Sequence, residues 1–232
     1  MSYRVLVTTC DKAVSAMRPF AYLFNTYWSA QQPVVVLCEH KPNFKMPENF
    51  RWLSFLMNGE SWPKDRWTNG VIHYLNSIKE QFVVILLDDY WLNRTVDTQG
   101  IGTLMQYMST NREVLRIDLT KDRLYAGGMR DYDVYGHYDL VSAPGSEYQM
   151  SLQAGIWNKN MLLSVLQTNQ DPWQVELQGT TIVNERDMTI LGTRQNLVKY
   201  ANGMKNGSDD INTQGIEKEH LDRIQRWFKT YD

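Results

Sequence analysis

Asp88 and Asp89 stand side by side at the end of an unbroken apolar run, FVVILLDDYW over residues 82–91. Six consecutive apolar residues at 82–87 read as a strand buried on both faces of a sheet. Ligands of open parallel α/β sheets bind in the crevice beyond the carboxyl ends of the strands, so this strand delivers two carboxylates to a binding crevice. Adjacent carboxylates raise each other's pKa unless a cation or hydrogen-bond donors compensate. A hard divalent cation, Mg2+ or Mn2+, shared between these oxygens and a substrate's phosphates is the natural compensator.

Competing chemistries lack their residues. The first strand runs into VTTCDKAVSAM (7–17), which has no glycine, whereas a dinucleotide-binding turn needs G-x-G-x-x-G there. A P-loop, G-x-x-x-x-G-K-[ST], occurs nowhere, and neither does a G-x-S-x-G nucleophile elbow. His40, His73, His137 and His220 show no metal-binding spacing with each other or with Cys10 and Cys38. Two cysteines are too few for a disulfide framework and are expected to be free buried thiols. A net charge of -2 carries no basic stripe for a polyanion, since Lys121, Arg123 and Arg130 are offset by Asp118, Asp122, Asp131 and Asp133. No apolar stretch approaches the ~20 residues of a membrane span, and the MSYRVLVTTC start lacks a signal-peptide layout. These features predict a reduced, cytoplasmic protein.

The elements that would position the carboxylates alternate in type. Strands are predicted at 3–9, 33–39, 50–56, 82–87 and 113–120. Helical spacing links Val14, Met17, Phe20, Ala21, Phe24 and Tyr27, then Trp67, Val71, Tyr74, Leu75 and Ile78, then Val96, Ile101, Leu104, Met105 and Met108, the last group capped by Asp97. The 232 residues fit a single domain: a three-layer α/β fold with a mostly parallel, Rossmann-like sheet and right-handed crossovers. Residues 1–120 form its nucleotide-binding half and 121–205 a loop-rich acceptor half. That second half holds a strand at 138–143, a strand, turn and helix within 150–170, one helical turn at 172–179 opened by Pro172, and a late strand at 196–203. The remainder, 206–232, carries an amphipathic C-terminal helix with Ile216, Leu221, Ile224 and Phe228 near one face. Tyr125, Tyr132, Tyr135, Tyr138 and Tyr148 crowd the loop-rich segment, where their rings could stack on an acceptor or simply pack.

The first strand ending in TTC, the second in VVVLCE, then ILLDDYW, SLQAGIWNKNMLLSVL and DPWQVE together resemble a GT-A-type glycosyltransferase over residues 3–205. ILLDDYW looks like a variant of that fold's D-x-D motif. It departs from the motif in that its carboxylates are adjacent and the third position is Tyr90. The resemblance implies that Thr8, Thr9 and Asp11 line the base pocket and that Glu39 approaches the base or ribose. It places Asp88 at the ribose and, with Asp89, at a diphosphate-bound Mn2+ or Mg2+. Gln153, Ala154 and Gly155 would floor the donor-sugar site. Glu176 would be the general base of an inverting transfer, with Asp171 its fallback. Lys205 would neutralise the leaving diphosphate, and Lys64, Arg66 and Lys205 could do so without a metal.

The implied partners are a nucleotide-sugar donor and an acceptor glycan or lipopolysaccharide. Hydroxymethylated bases of phage-type DNA are an alternative acceptor. A nucleotidyltransferase and a non-catalytic nucleotide-sugar binding module are the remaining alternatives.

Overall fold

The computed structural model describes residues 2–54, 66–204 and 214–229. Four parallel strands open the chain: β1 (Tyr3–Thr8), β2 (Val34–Cys38), β3 (Phe50–Ser54) and β4 (Phe82–Leu87). β1 is flanked by β2 and β4, Val5 lying opposite both Val34 and Val84. Side chains alternate across a strand, so Val5 and Val7 point to one face and Leu6 to the other, all fully buried. The first face is covered by α1 (Met17–Phe24), through Met17, Phe20 and Phe24, and by α3 (Thr98–Thr110), through Ile101, Leu104 and Met105. The second is covered by α2 (Trp67–Ser77), through Val71, Tyr74 and Leu75. Three layers follow. Asp97 caps α3 as its sequence suggests, accepting the Gly100 N–H at 2.8 Å.

The second half adds to the same sheet and reverses part of it. β5 (Tyr90–Leu92) leaves the main sheet at once. β6 (Val114–Asp118) is not β4's neighbour, because β9 (Gly155–Asn158) lies antiparallel between them. Beyond β6 come β10 (Thr189–Thr193), parallel to it, then β8 (Tyr138–Ser142) and β7 (Arg130–Tyr135) as an antiparallel edge hairpin. The full order is β3-β2-β1-β4-β9-β6-β10-β8-β7, mostly parallel, and it spans both halves of the chain. α4 (Lys159–Val165) and α5 (Pro172–Glu185) pack on the α2 face. The single turn expected at 172–179 is thus a 14-residue helix. It is opened by a full capping box: the Gln174 N–H donates to Asp171 at 2.7 Å, and the Asp171 N–H to the Gln174 side chain at 2.9 Å. The late strand shortens to β11 (Tyr200–Asn202), which among the described residues pairs with β5 alone. α6 (Lys218–Lys229) lies on the α1 face, with Ile224 fully buried and His220 hydrogen-bonded to the Tyr22 hydroxyl at 2.7 Å.

A buried ionic network ties β6 to the start of β9. The Arg116, Asp118 and Arg123 side chains are all at most 4% exposed. Asp118 meets Arg116 Nη1 and Arg123 Nε at 2.8 Å each. Arg123 also donates twice to Gln149, while Arg116 Nη2 donates to the Gln153 carbonyl at 2.7 Å and the Arg116 Cζ lies 4.7 Å from the centre of the Trp157 ring. A Cβ on Gly155 would sit 2.5 Å from Arg116 Nε, so only glycine lets β9 pass the guanidinium. Removing one partner of a buried ion pair leaves an uncompensated charge and costs about 3–5 kcal/mol. Asp118→Ala, which strands two guanidiniums, is expected to lose at least that much in urea unfolding. A loss below about 1 kcal/mol would show that the network does not hold this half together.

Candidate active site

The polar residues gather where β1, β2 and β4 end. The chain passes from β1 to β2 on one side of β1, while β4 lies on the other, so the order of the strands switches between β1 and β4. Buried Thr8 ends β1, and the Thr9 N–H donates to the Leu37 carbonyl at 2.9 Å. The turn that follows crosses to β2: the Asp11 N–H donates to Glu39 Oε2 at 3.1 Å, and the His40 N–H to Asp11 Oδ1 at 3.1 Å. His40 Nδ1 meets Asp11 Oδ2 at 2.7 Å. Asp11 and Glu39, 28 residues apart in sequence, are therefore one cluster, and His40 belongs to it. Reading the histidines only for metal spacing missed His40, although it directly follows Glu39. Cys10 is exposed, contrary to the expectation of two buried thiols, because it lies in this turn beyond the strand. Cys38 is buried, and burial pushes its thiol up to about 12.

Asp88 and Asp89 form the tight turn between β4 and β5, both partly buried. The Asp89 carbonyl accepts the N–H groups of Trp91 at 3.0 Å and Gly203 at 2.6 Å, which fastens the turn to the end of β11. Trp91 lies where a Gly203 Cβ would be, 2.1 Å from the ring, so this crossing requires glycine. Tyr90 stacks on Tyr200 at 4.1 Å and donates its hydroxyl to the Leu152 carbonyl at 3.3 Å. Burial pushes Asp88 up to about 7, with the Thr9 hydroxyl pulling it back and the Asp89 charge adding to the rise. Burial also raises Asp89. Among the described residues neither carboxylate has a Lys or Arg partner.

β9 runs antiparallel, so its first residues lie at the crevice end, Gly155 opposite Ile85. Gln153 and Ala154 therefore approach the level of the Asp88 turn. Gly155 itself is buried and makes room for Arg116 rather than an open floor. Glu176, half-buried on α5, accepts the Leu152 N–H at 2.6 Å. Burial raises its pKa, opposed by that N–H and by the Arg116 charge. The Asp171 carboxylate is engaged as the α5 cap, which leaves Glu176 as the acid on this side. Lys64 and Lys205 lie outside the described residues, and Arg66 stands at the start of α2. Of the five tyrosines, Tyr135 packs on Tyr107 and Tyr138 donates to Asp97, whereas Tyr125, Tyr132 and Tyr148 keep their rings in solvent.

No protein-family model and no curated protein matches the chain. Solved structures do match. S. aureus TarS 1-349 in complex with UDP superposes with a TM-score of 0.53 at 11% identity, over 99% of this chain and 65% of that one. The mannosyltransferase PcManGT from Pyrobaculum calidifontis, in complex with GDP-Man and Mn2+, gives 0.53 at 10% identity, over 88% and 58%. The chain thus spans less than two thirds of each of these proteins. At such identities the likeness is one of fold, and the fold is of the GT-A type, an α/β architecture around a large, mostly parallel sheet.

The Asp88 environment makes a signed prediction. An Asp carboxyl ionises near 3.8 in the unfolded chain and near 7 here, so between those values the folded chain binds more protons and stability falls as pH rises. Asp88→Asn removes that charge. It is expected to raise stability by about 1–3 kcal/mol above neutral pH, with little change near pH 4. An equal effect at both pH values would show that the buried charge is not the cause.

Proposed function

We propose that the chain is a glycosyltransferase that moves a sugar from a nucleotide-sugar donor to an acceptor hydroxyl. The observation that carries this reading is the Asp88–Asp89 pair, half-buried and without a cationic partner among the described residues, at the strand switch of a GT-A-type sheet. Thr8, Thr9, Asp11 and Glu39 hold the nucleoside, with His40 fixing the Asp11 carboxylate through two contacts. The diphosphate lies at the Asp88 turn and the donor sugar towards Gln153.

The carboxylate pair fits a hard divalent cation, since its oxygens are the donors that Mg2+ and Mn2+ prefer. Among the described residues no third acidic, His or Cys side chain joins them, which suits an ion that completes its shell with phosphate oxygens and water. Bound there, Mn2+ or Mg2+ would neutralise charge on the departing diphosphate. PcManGT, the neighbour of similar fold, was solved with Mn2+.

In an inverting transfer Glu176 takes the acceptor hydroxyl's proton while that oxygen forms its bond to the anomeric carbon. The bond from the same carbon to the diphosphate breaks, and its electron pair leaves with the nucleotide. A carboxylate raised by burial is a stronger base than a solvated one, and the Leu152 N–H fixes one oxygen while leaving the other for the substrate.

Nucleotide release from UDP-, GDP-, TDP- and CMP-sugars in the presence of Mn2+ tests the assignment. Asp89→Asn is expected to lower turnover on the order of 10²-fold or more, and Glu176→Gln to lower kcat by about 10²–10⁴-fold with donor KM little changed. Full activity in Asp89→Asn would remove the site, and full activity in Glu176→Gln would remove the base.

A further inference from the structure

At the end of the sheet opposite the crevice, a cavity of about 350 Å³ opens beside the start of β10, between α5 and the β7–β8 hairpin. Its size falls at the lower end of small-molecule sites. Gln149 also lines it, three residues before the Leu152 that bonds Glu176. The walls combine three kinds of group. The Tyr132 ring is 42% exposed. Arg130 and Asp187 supply one charge of each sign, and Asn184 an amide. The Tyr132 hydroxyl, the Asn184 amide and the Asp187 carboxylate form no hydrogen bond among the described residues. Val183 and Ile190 give an apolar floor.

That combination selects a ligand class. One positive and one negative charge leave the cavity with no net charge to favour a full anion or cation. A hydrocarbon ligand would bury the unbonded amide and carboxylate at a cost. What satisfies the walls is an uncharged molecule with many hydroxyls around its edge and an apolar face for an aromatic ring, which is a pyranose.

The cavity is also the end of a track. Trp173, Leu177, Thr181 and Asn184 recur at i, i+4, i+8 and i+11 along α5, so they lie on one helix face, and all four are exposed, Trp173 by 68% and Leu177 by 53%. At about 1.5 Å per residue the stripe is roughly 16 Å long. It starts three residues from Glu176 and finishes in the cavity, and it carries a ring, an aliphatic chain, a hydroxyl and an amide but no charge. A basic row suited to an anionic membrane surface is not what it presents.

We propose that this cavity and the exposed face of α5 bind a neutral glycan chain, one pyranose seated against Tyr132 and the rest running along the helix towards Trp173. Its meaning as the acceptor track rests on the transferase reading, whereas the binding itself does not. The test titrates the full chain with maltohexaose, cellohexaose and chitohexaose by saturation-transfer NMR, in the wild type and in Tyr132→Ala and Asn184→Ala. Both replaced side chains are exposed, and thermal melts confirm that the variants are folded. At least one oligosaccharide is expected to bind, and each variant to weaken it about tenfold, while nucleotide-sugar binding at the crevice is unchanged. No binding of any of the three, or equal binding in both variants, overturns the proposal. Oligosaccharide binding that is lost in the variants of a chain unable to bind any nucleotide-sugar would keep the track and dismiss the transferase.

Discussion

Two carboxylates on consecutive residues, partly buried where β4 leaves the sheet, are the constraint around which the first half of the chain is organised. The six apolar residues of β4 fix their position, and the turn cannot relax into solvent because its backbone is bonded to Gly203 and its next residue is stacked on Tyr200. The folded state therefore carries an electrostatic cost at neutral pH that the Thr9 hydroxyl and the turn's own backbone N–H groups offset only in part. Charge left partly uncompensated by a rigid frame is characteristic of functional sites. Here the frame is a sheet whose strands β1 and β2 bring Thr9, Asp11, Glu39 and His40 to the same end.

The second half meets this site through a different device. Asp118 and its two arginines are buried charges that compensate each other, and their remaining donors hold the Gln149 and Gln153 backbone carbonyls. This fixes the segment from 149 to 155, from which the Leu152 N–H reaches Glu176 and the Leu152 carbonyl receives Tyr90. The carboxylate on α5 and the pair on β4 are thus linked through a single residue, Leu152, although 88 and 176 are far apart in sequence. The network is not fully bonded, since the buried Arg116 Nε has no hydrogen-bond partner among the described residues, so what holds the segment is the charge pairing together with the two carbonyl contacts.

What could be read from the sequence follows from the period of each element. The parallel strands of the first half are apolar on both faces and bounded by polar turns, so β4 and its acidic end were legible, as was the Asp97 cap of α3. β9 was harder: GIWN has four buried residues and no alternation, so neither its direction nor its insertion between β4 and β6 leaves a trace in residue order. β7 failed for a different reason: RDYDVY lies on an edge with both faces largely in solvent, and its brief polar–apolar alternation over 131–134 sits within a Gly- and Asp-rich stretch that reads as loop. α5 looked like a single turn because Gly179, Thr180, Thr181 and Ile182 are poor helix formers. Packing overrides that preference: a side chain at 179 would strike Met150, and Thr180 accommodates the Met150 N–H at 3.0 Å. Of the candidate site, Asp11, Glu39, Asp88, Asp89 and Glu176 could be named from strand ends and resemblance. His40 could not, since its part depends on a contact to Asp11 that only the fold creates.

The central claim is that the Asp88–Asp89 turn receives a nucleotide-sugar together with a divalent cation. Isothermal titration of the wild type with UDP-, GDP-, TDP- and CMP-sugars at pH 8, with Mn2+ and with chelator, tests it most directly when repeated on Asp88→Asn. The expected result is that one nucleotide-sugar binds, and that its affinity falls on chelation and falls likewise in the Asp88→Asn chain. Failure of all four to bind the wild type, or an affinity indifferent to both the chelator and the substitution, would contradict it.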